Sequence, residues 1–468
     1  IRWPWTLHQQ KRHCPNRGVG ARRRGGARSV ELTLIFAILY VILSLLKLEP
    51  LARNSVQDDK KSIDLPQTND QYEVNKFYVW GDPNGINITA LHSYYEWLTL
   101  EGLKNEKWSW STWPSVPVWI SKDTQSGRFV VKISMAAFNK IMNAKFLFGD
   151  RAVPMLNFMV ETLNQPIGNK QRQPPRRDVT RLFHLLEQGY DIPFLMDFGD
   201  EAMCGDKVFS PSSIVSPQHK LYNLHLPLFG MCRQRDCNYS FPLPTFTGLG
   251  HSKVSTEEWD NYFKNSDLVY PWENKMNAVG WRGGRTGLWW VPGRAWLVET
   301  AASAPSVIDA HFVDKQSKYK ISFQDFQKYK AVIDIDGNGW SGRFHALLCM
   351  NSVAVKIRPR FLDYNAGQLK AWTHYVPYDP ETVSNNIHNF SFPDLMKHIL
   401  TNENDAKLRD ITSNAQTWCR DHMSRPSIQD DLLDIFASYV AELDKNDASW
   451  EHKWMSSFHE VLDARTFR

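Results

Sequence analysis

A short apolar strand that runs directly into a glycine-rich turn constrains the fold of this chain more than any other feature. The segment reads Ala331-Val-Ile-Asp-Ile-Asp-Gly-Asn-Gly-Trp-Ser-Gly-Arg-Phe-His-Ala-Leu-Leu, and its last residues predict a helix. Short buried strands that are followed by helices are typical of α/β folds with parallel sheets. Backbone N–H groups in such a turn can approach an anion at the helix start, and Arg343 adds a fixed positive charge.

Other interpretations of this turn stay open. Gly337, Gly339 and Gly342 form the Gly-x-Gly-x-x-Gly pattern of dinucleotide sites, although the next strand ends in Lys356-Ile-Arg358 and not in an acidic residue. An Asp-x-Asp pair, Asp334-Ile-Asp336, could hold a divalent ion. A surface turn without a ligand is the third alternative.

A second segment has the same chemistry. Gly280-Trp-Arg-Gly-Gly-Arg-Thr-Gly287 places Arg282 and Arg285 on either side of two glycines, and Thr286 adds a hydroxyl donor. A flexible main chain between arginines can wrap phosphate oxygens. The two segments together predict the two halves of a diphosphate site.

The rest of the chain supports an α/β fold with parallel sheets, because short β-rich runs alternate with longer helix-like stretches. The strand candidates are Phe129–Ile133, Ile192–Met196, Ala331–Ile335 and Ser352–Ile357. Ser391 and Ser427, each followed three residues later by an aspartate, predict the caps of two late helices.

The basic charge of the chain lies in its first residues. Eight of the 55 lysines and arginines precede Glu31 and no acid does, which leaves 47 basic against 50 acidic residues in the remainder. Nucleic-acid binding is therefore excluded as a function, since it requires basic residues on the folded part. Residues 32–48 are apolar enough to predict a membrane anchor, with residues 1–31 in the cytosol and 49–75 as a stem on the opposite side.

The cysteines and glycosylation motifs are compatible with a secretory compartment. Asn87, Asn238 and Asn389 begin Asn-x-Ser/Thr motifs. Cys232 and Cys237 could close a small loop, whereas Cys349 lies in an apolar run and is predicted to be a core residue.

Five ordered segments give the chain a family resemblance. They are Trp281-Arg-Gly-Gly-Arg-Thr286, Asp336-Gly-Asn-Gly-x-Ser-x-Arg-Phe344, Asn351-Ser-Val-Ala-Val-Lys356, Trp372-Thr-His-Tyr-Val-Pro377 and, more loosely, Phe194-Leu-Met-Asp-Phe-Gly-Asp200. Over about residues 180–445 the chain resembles the capsule-associated (CAP10-domain) glycosyltransferases of family 90, which include β-1,2-xylosyltransferases and protein O-glucosyltransferases. It departs from the family pattern at Gly284, where the family has serine.

The resemblance implies a GT-B-like fold, with two Rossmann-like domains that face a central cleft. Residues 76–275 would form the acceptor-side domain, 276–430 the nucleotide-sugar domain and 431–468 the C-terminal helices. The implied activity is inverting transfer of xylose, or alternatively glucose, from a UDP-sugar to a glycan or glycoprotein hydroxyl. No metal or other cofactor would be needed, and the enzyme would lie in the Golgi or endoplasmic reticulum membrane with its catalytic part in the lumen.

The resemblance also implies roles for individual residues. Asp200 would be the general base, with Asp197 and Glu201 as the neighbouring alternatives. The predicted donor-binding residues are Arg282, Gly284, Arg285, Thr286, Asp336, Gly337, Gly339, Ser341 and Arg343. The arginines and Thr286 would neutralise the departing diphosphate, Ser341 would donate to phosphate or sugar, and Asp336 would cap the turn or bind a hydroxyl.

Two other functions remain as alternatives. An NAD(P)-dependent oxidoreductase would use the turn from Gly337 to Gly342 for its cofactor. A relative of the family without catalytic activity would bind glycans only.

Overall fold

The computed structural model describes residues 116–134, 149–165, 178–197, 227–235, 240–244, 269–288, 292–314, 316–322, 324–380, 390–446 and 461–463. All of them belong to the second of the two compact units into which the chain divides, Leu65–Arg468. The strands are β1 (Val116–Lys122), β2 (Phe129–Ser134), β3 (Ile192–Met196), β4 (Leu228–Gly230), β5 (Arg233–Gln234), β6 (Ser240–Pro242), β7 (Met276–Gly283), β8 (Ile308–Phe312), β9 (Tyr329–Asp334), β10 (Val353–Ile357), β11 (Phe361–Leu362), β12 (Val376–Tyr378) and β13 (Val461–Asp463). The helices are α1 (Gly149–Leu163), α2 (Thr180–Glu187), α3 (Arg294–Ser303), α4 (Phe344–Leu348), α5 (Phe392–Ile399), α6 (Asp405–His422) and α7 (Arg425–Asn446).

The second half of the described chain forms a five-stranded sheet with the order β12-β10-β9-β7-β8. All its strand pairs are parallel. Numbered within the sheet, this order is 2-1-3-4-5 read from β8, a doubly wound arrangement in which the strand order reverses between β7 and β9. Ligands of such sheets bind at the carboxyl ends of the strands next to this reversal. The fold therefore directs attention to the segments that follow β7 and β9.

Buried side chains cover both faces of this sheet. One face packs against Leu297 of α3, Met396 of α5 and Ile411 of α6. The other face packs against Phe344 of α4 and Trp418 of α6, within a core that continues to the six-stranded sheet. Strands that are buried on both faces require near-continuous apolar runs, which is why β9 and β10 could be recognised in the sequence.

The first half of the described chain contributes a six-stranded sheet with the order β13-β2-β1-β3-β4-β6. Strands β3, β4 and β6 are parallel, as predicted, but β13, β2, β1 and β3 pair in antiparallel fashion. The prediction of parallel sheets is wrong for this half of the sheet. The short turn between Lys122 and Phe129 permits only antiparallel pairing, because parallel neighbours need a long crossover.

A two-stranded ribbon joins the carboxyl ends of the two sheets. Strand β5, just after β4, pairs with β11, just after β10, in antiparallel register. The ribbon continues in the hydrogen bond from the Arg235 N–H to the Arg360 carbonyl at 3.0 Å. Cys232 and Phe361 are buried beside it against Trp340. The segments that follow the parallel strands of both sheets are thus held against each other.

The late helices differ in how well the sequence predicted their starts. Ser391 caps α5 and accepts a hydrogen bond from the Asp394 N–H at 3.3 Å, as predicted. The cap predicted at Ser427 is wrong, because α7 begins at Arg425 and the Ser424 hydroxyl accepts from the Ser427 N–H. Among the described residues no helix is long and apolar enough to cross a bilayer, and residues 32–48 lie outside that part of the chain.

Candidate functional site

Two glycine-containing bends meet at the carboxyl edge of the five-stranded sheet. Bend one, residues 283–287, follows β7, and bend two, residues 335–343, follows β9. The Gly287 N–H donates to the Asn338 side-chain oxygen at 2.9 Å. The Arg343 guanidinium donates to the main-chain oxygen of Arg282. Because β7 and β9 are adjacent strands, segments 50 residues apart in sequence form one surface at the reversal point.

Arg343 brings a cation with spare bonding capacity into this surface. Its guanidinium lies 5.9 Å from the centre of the Trp281 ring. Its Nη2 atom is buried and has no hydrogen-bond partner among the described residues. Burial lowers the pKa of Arg343. A buried guanidinium nitrogen without an acceptor is costly, and an anionic oxygen would satisfy it.

Arg294, the first residue of α3, bridges the two bends, and the sequence analysis missed it. Its Nη1 donates to the Thr286 Oγ1 at 2.6 Å and to the Gly284 carbonyl at 3.2 Å, and its Nε donates to the Asp336 carbonyl at 3.1 Å. Burial, together with the neighbouring charge of Arg343, lowers the pKa of Arg294 to about 10. One signal was present in the sequence: an arginine in the first turn of a helix opposes the helix dipole, so it needs partners elsewhere.

The two arginines predicted to bind the donor in the segment 280–287 have different surroundings. The Arg282 side chain is 7% exposed and turns away from bend two, towards the Asp309 carboxylate at 2.9 Å and the Tyr329 hydroxyl at 3.2 Å. Arg285 is exposed, with its guanidinium 4.5 Å above the Phe312 ring. Arg285 is therefore accessible to a ligand, whereas the Arg282 guanidinium is fully engaged by the protein.

Gly337 of bend two and Gly284 of bend one differ in the space around them: a side chain would collide with neighbours at Gly337 and would not at Gly284. A Cβ atom at Gly337 would lie 2.8 Å from the Arg294 Nη2 and 2.9 Å from the Thr286 Oγ1. The Gly337 N–H donates to the Gly339 carbonyl at 2.9 Å, which closes the turn. A Cβ atom at Gly284 would meet no described atom within 4 Å.

Two acidic residues, Asp334 at the end of β9 and Asp336 in bend two, are bound by the protein itself. Asp334 accepts hydrogen bonds from the Ser341 hydroxyl and from the Lys356 ammonium. Asp336 lies 3.8 Å from the same ammonium and accepts from the Arg360 N–H at 2.8 Å. Burial raises the pKa of Asp336 to about 6 in spite of Lys356. Lys356 thus stands between the two carboxylates, where the Asp-x-Asp interpretation would put a divalent cation.

The predicted base, Asp200, lies outside the described residues. Asp197, the alternative three residues earlier, follows β3 and donates its N–H to the Phe229 carbonyl at 2.7 Å. Burial raises the pKa of the Cys232 thiol, and the charges of Asp336 and Asp197 add to that rise. Cys232, two residues after β4, is therefore near enough to both carboxylates for their charges to act on its thiol.

A pocket opens beside the bends, at the carboxyl ends of β10 and β12. Its aromatic walls are Phe344, Phe361, Tyr375 and Tyr378, and its charged walls include Lys356, Arg358 and Asp363. These charges have partners: Lys356 binds Asp334, Arg358 lies 3.3 Å from Asp379, and Asp363 lies 3.2 Å from His345. Aromatic walls with paired charges suit a planar, uncharged polar group.

A disulfide joins Cys349, at the end of α4, to Cys419 of α6. The prediction of Cys349 as a simple core residue is therefore incomplete, since its partner is 70 residues away and no spacing signal connects them. The predicted partner of Cys232, Cys237, lies outside the described residues.

Comparison with known proteins identifies relatives of this chain. The model of Glycosyl transferase family 90 matches residues 191–455, more than half of the chain. Human protein O-glucosyltransferase 1 is 24% identical over 216 residues, which are 42% of this chain and 48% of the relative. Danio rerio protein O-glucosyltransferase 2 is 28% identical over 36% of this chain and 33% of its own length, and the Drosophila melanogaster O-glucosyltransferase rumi is 23% identical over 36% and 42%. The chain spans about half or less of the length of these relatives.

Proposed function

Because the chain belongs to glycosyl transferase family 90, we propose that it transfers a sugar from a UDP-sugar to a hydroxyl group of a glycan or glycoprotein. From the family resemblance we predict xylose as the transferred sugar, with glucose as the alternative, whereas the names of the relatives favour glucose. The observation that carries the proposal is the meeting of the two bends beside the Nη2 of Arg343, for which the described part of the chain offers no hydrogen-bond partner.

In the proposed complex, the two bends hold the diphosphate. Arg343 and the exposed Arg285 neutralise the charge that develops as UDP leaves, an electrostatic contribution that is usually the largest in such reactions. Since the Thr286 oxygen already accepts from Arg294, its hydroxyl hydrogen is directed to a phosphate oxygen. The Arg282 side chain stabilises β7 through its hydrogen bond to Asp309 of β8, and the Arg282 carbonyl positions Arg343.

Ser341 and Asp336 have a supporting role in this proposal. The Ser341 hydroxyl donates to Asp334, and Asp336 holds the backbone of the segment before β11. Lys356 lies between Asp334 and Asp336 and offsets part of their negative charge, while Arg343 supplies the positive charge that bend two presents to the ligand. The guanidinium groups then supply the charge that a metal would supply in other transferases.

The remaining parts of the substrates are assigned by chemistry. The uracil ring, planar and uncharged, suits the aromatic pocket beside α4. Asp200 takes the proton of the acceptor hydroxyl as the hydroxyl oxygen attacks the anomeric carbon, and the electrons of the broken bond leave with UDP. Attack opposite to the leaving group inverts the configuration.

The larger arrangement is also part of the proposal. A GT-B-like architecture is supported by two observations. The two sheets are joined at their carboxyl ends by the β5–β11 ribbon. Helix α7 returns to the first sheet, where the Tyr439 hydroxyl donates a hydrogen bond to the Pro193 carbonyl. The Cys349–Cys419 disulfide supports folding in the oxidising lumen of the endoplasmic reticulum or Golgi. Residues 32–48 would provide the membrane anchor.

Two measurements on the full chain test the function. UDP should raise the thermal unfolding midpoint and NADP should not, whereas the reverse would favour the oxidoreductase. A panel of UDP-sugars, assayed for UDP release with and without hydroxyl acceptors, should identify one donor.

Asp200→Asn should abolish transfer and retain UDP binding, with Asp197→Asn as the comparison for the neighbouring carboxylate. UDP binding without turnover on any acceptor would favour the non-catalytic alternative.

A further inference from the structure

Arg294 connects three acceptors from two separate segments. Bend one contributes the Gly284 carbonyl at 3.2 Å and the Thr286 Oγ1 at 2.6 Å. Bend two contributes the Asp336 carbonyl at 3.1 Å. Each of the three acceptors is uncharged, because the Asp336 contact uses the main-chain oxygen. The planar guanidinium fork makes this geometry possible, since an ammonium group cannot direct rigid donors to three separated oxygens.

The charge of Arg294 is not balanced by an ion pair. Within the described part of the chain no carboxylate forms a salt bridge with it; burial and the charge of Arg343 lower its pKa, and the charges of Asp334 and Asp336 oppose that effect only in part. The two guanidiniums lie against one indole ring, 5.8 Å and 5.9 Å from the centre of Trp281. Two half-buried cations on the same ring, of which one lowers the pKa of the other, favour the binding of an anion beside them.

Glycine at position 337 fits the same arrangement. A Cβ atom there would lie 2.8 Å from the Arg294 Nη2 and 2.9 Å from the Thr286 Oγ1. Bend two can therefore approach Arg294 closely only without a side chain at this position. The close approach links the position of Thr286 to that of bend two.

We propose that Arg294 is a positioning residue, which holds the two bends at a fixed separation so that Thr286 and Arg343 converge on one phosphate group. This inference rests on the proposed function. Arg294 acts through Thr286 and through the main chain of both bends. Its contribution is therefore to the geometry of the anion site as well as to its charge.

The test compares variants of the full chain by calorimetric binding of UDP and of inorganic pyrophosphate, together with the thermal midpoint without ligand. Arg294→Lys keeps the charge but loses the fork, so we expect both affinities to fall about tenfold or more. Gly337→Ala should weaken binding in the same way, because its methyl group displaces the Arg294 guanidinium. Arg409→Lys is the matched control, since Arg409 also lies over an indole ring, 5.3 Å from Trp272, but pairs with Glu273 at the surface.

A double variant identifies the route of the effect. If Arg294 acts through Thr286, Arg294→Lys combined with Thr286→Val should weaken binding by less than the product of the two single effects. Multiplicative effects would contradict this route.

The other outcomes are distinct. Wild-type affinity in Arg294→Lys would overturn the positioning role and leave only a role for charge. A lower thermal midpoint with unchanged affinities would overturn it in favour of a purely structural role. If the wild-type chain binds neither ligand, the proposed function fails, whereas equal binding by wild type and variants contradicts only the role of Arg294.

Discussion

The guanidinium of Arg343 donates a hydrogen bond to the main-chain oxygen of Arg282, 61 residues earlier in the chain. This bond ties the start of α4 to the end of β7 and leaves the buried Nη2 of Arg343 unpartnered among the described residues. A cation that is held in place before the ligand binds needs no reorganisation during the reaction, and such preorganisation is the main source of electrostatic catalysis.

Replacement of Arg343 by lysine should disable the site. Lysine cannot reach the Arg282 carbonyl and a phosphate oxygen with fixed geometry, so we expect a loss of about 3 kcal/mol of transition-state stabilisation. The measurement is kcat/KM for transfer, with Arg420→Lys as a control because Arg420 bonds only to Thr417 among the described residues. Unchanged kcat/KM in Arg343→Lys would remove this residue from the mechanism.

Removal of the Lys356 charge should destabilise the fold. Asp334 is 0% exposed, and in Lys356→Met it would be left buried without its counter-charge, at a cost of about 3–5 kcal/mol in the free energy of unfolding. The control is Lys397→Met, which breaks an exposed pair with Asp394 and should cost less than about 1 kcal/mol. Urea unfolding measures both, and equal losses would contradict the importance of burial.

Gly280 and Gly284, both in the segment 280–287, should respond differently to replacement by alanine. A Cβ atom at Gly280 would lie 2.4 Å from the ring of the fully buried Tyr329, so Gly280→Ala should cost about 1–3 kcal/mol of stability. Gly284→Ala should be neutral or slightly stabilising, because its Cβ atom would enter open space. Gly284→Ser, which restores the hydroxyl of the family pattern, should be accommodated as well. Equal destabilisation at both positions, measured by thermal unfolding, would argue against the close approach of Tyr329.

His345 should make stability depend on pH. Burial alone would lower its pKa, but the neighbouring Asp363 outweighs this effect and raises the pKa of His345 above the model-peptide value of 6.5. The folded chain then binds more protons at His345 than the unfolded chain between these two values, so the contribution of His345 to stability is fully present below pH 6.5 and is lost as pH rises through the folded pKa. His345→Gln should flatten this slope in the thermal midpoint, whereas His184→Gln, an exposed control, should leave it unchanged. A slope that persists in His345→Gln would assign it to other groups.

The disulfide should contribute substantially to stability. It closes a loop between residues 70 positions apart, and a loop of that length corresponds to about 4 kcal/mol. The Cys349→Ala/Cys419→Ala double variant should therefore unfold at lower denaturant concentration than wild type, and reduction with dithiothreitol should shift the unfolding of wild type more than that of the double variant. Cys232→Ala, outside this disulfide, should keep the response to reduction. Insensitivity of the wild-type chain to reduction would contradict the assignment.

Much of the fold could be predicted from local patterns. Strands β2, β3, β9 and β10 were found within two residues of their bounds, because short apolar runs carry their own signal. The antiparallel half of the first sheet was missed, since its strand β13 comes from residues 461–463 and pairs with β2 more than 300 residues earlier. Pairing over such separations leaves no trace in a local window.

The sequence by itself determined which segments could approach an anion, because glycine spacing and adjacent arginines are properties of the local chain. Only the tertiary structure decided what each side chain does there. Successive residues of β7 point to opposite faces of the sheet, so Arg282 turns to Asp309 while Trp281 packs under Arg294 and Arg343. Arg294, unmarked by any motif, became the bridge between the bends because the start of α3 lies beside both. Side-chain partners depend on which elements pack together, and that packing is determined by the burial of apolar side chains throughout the core.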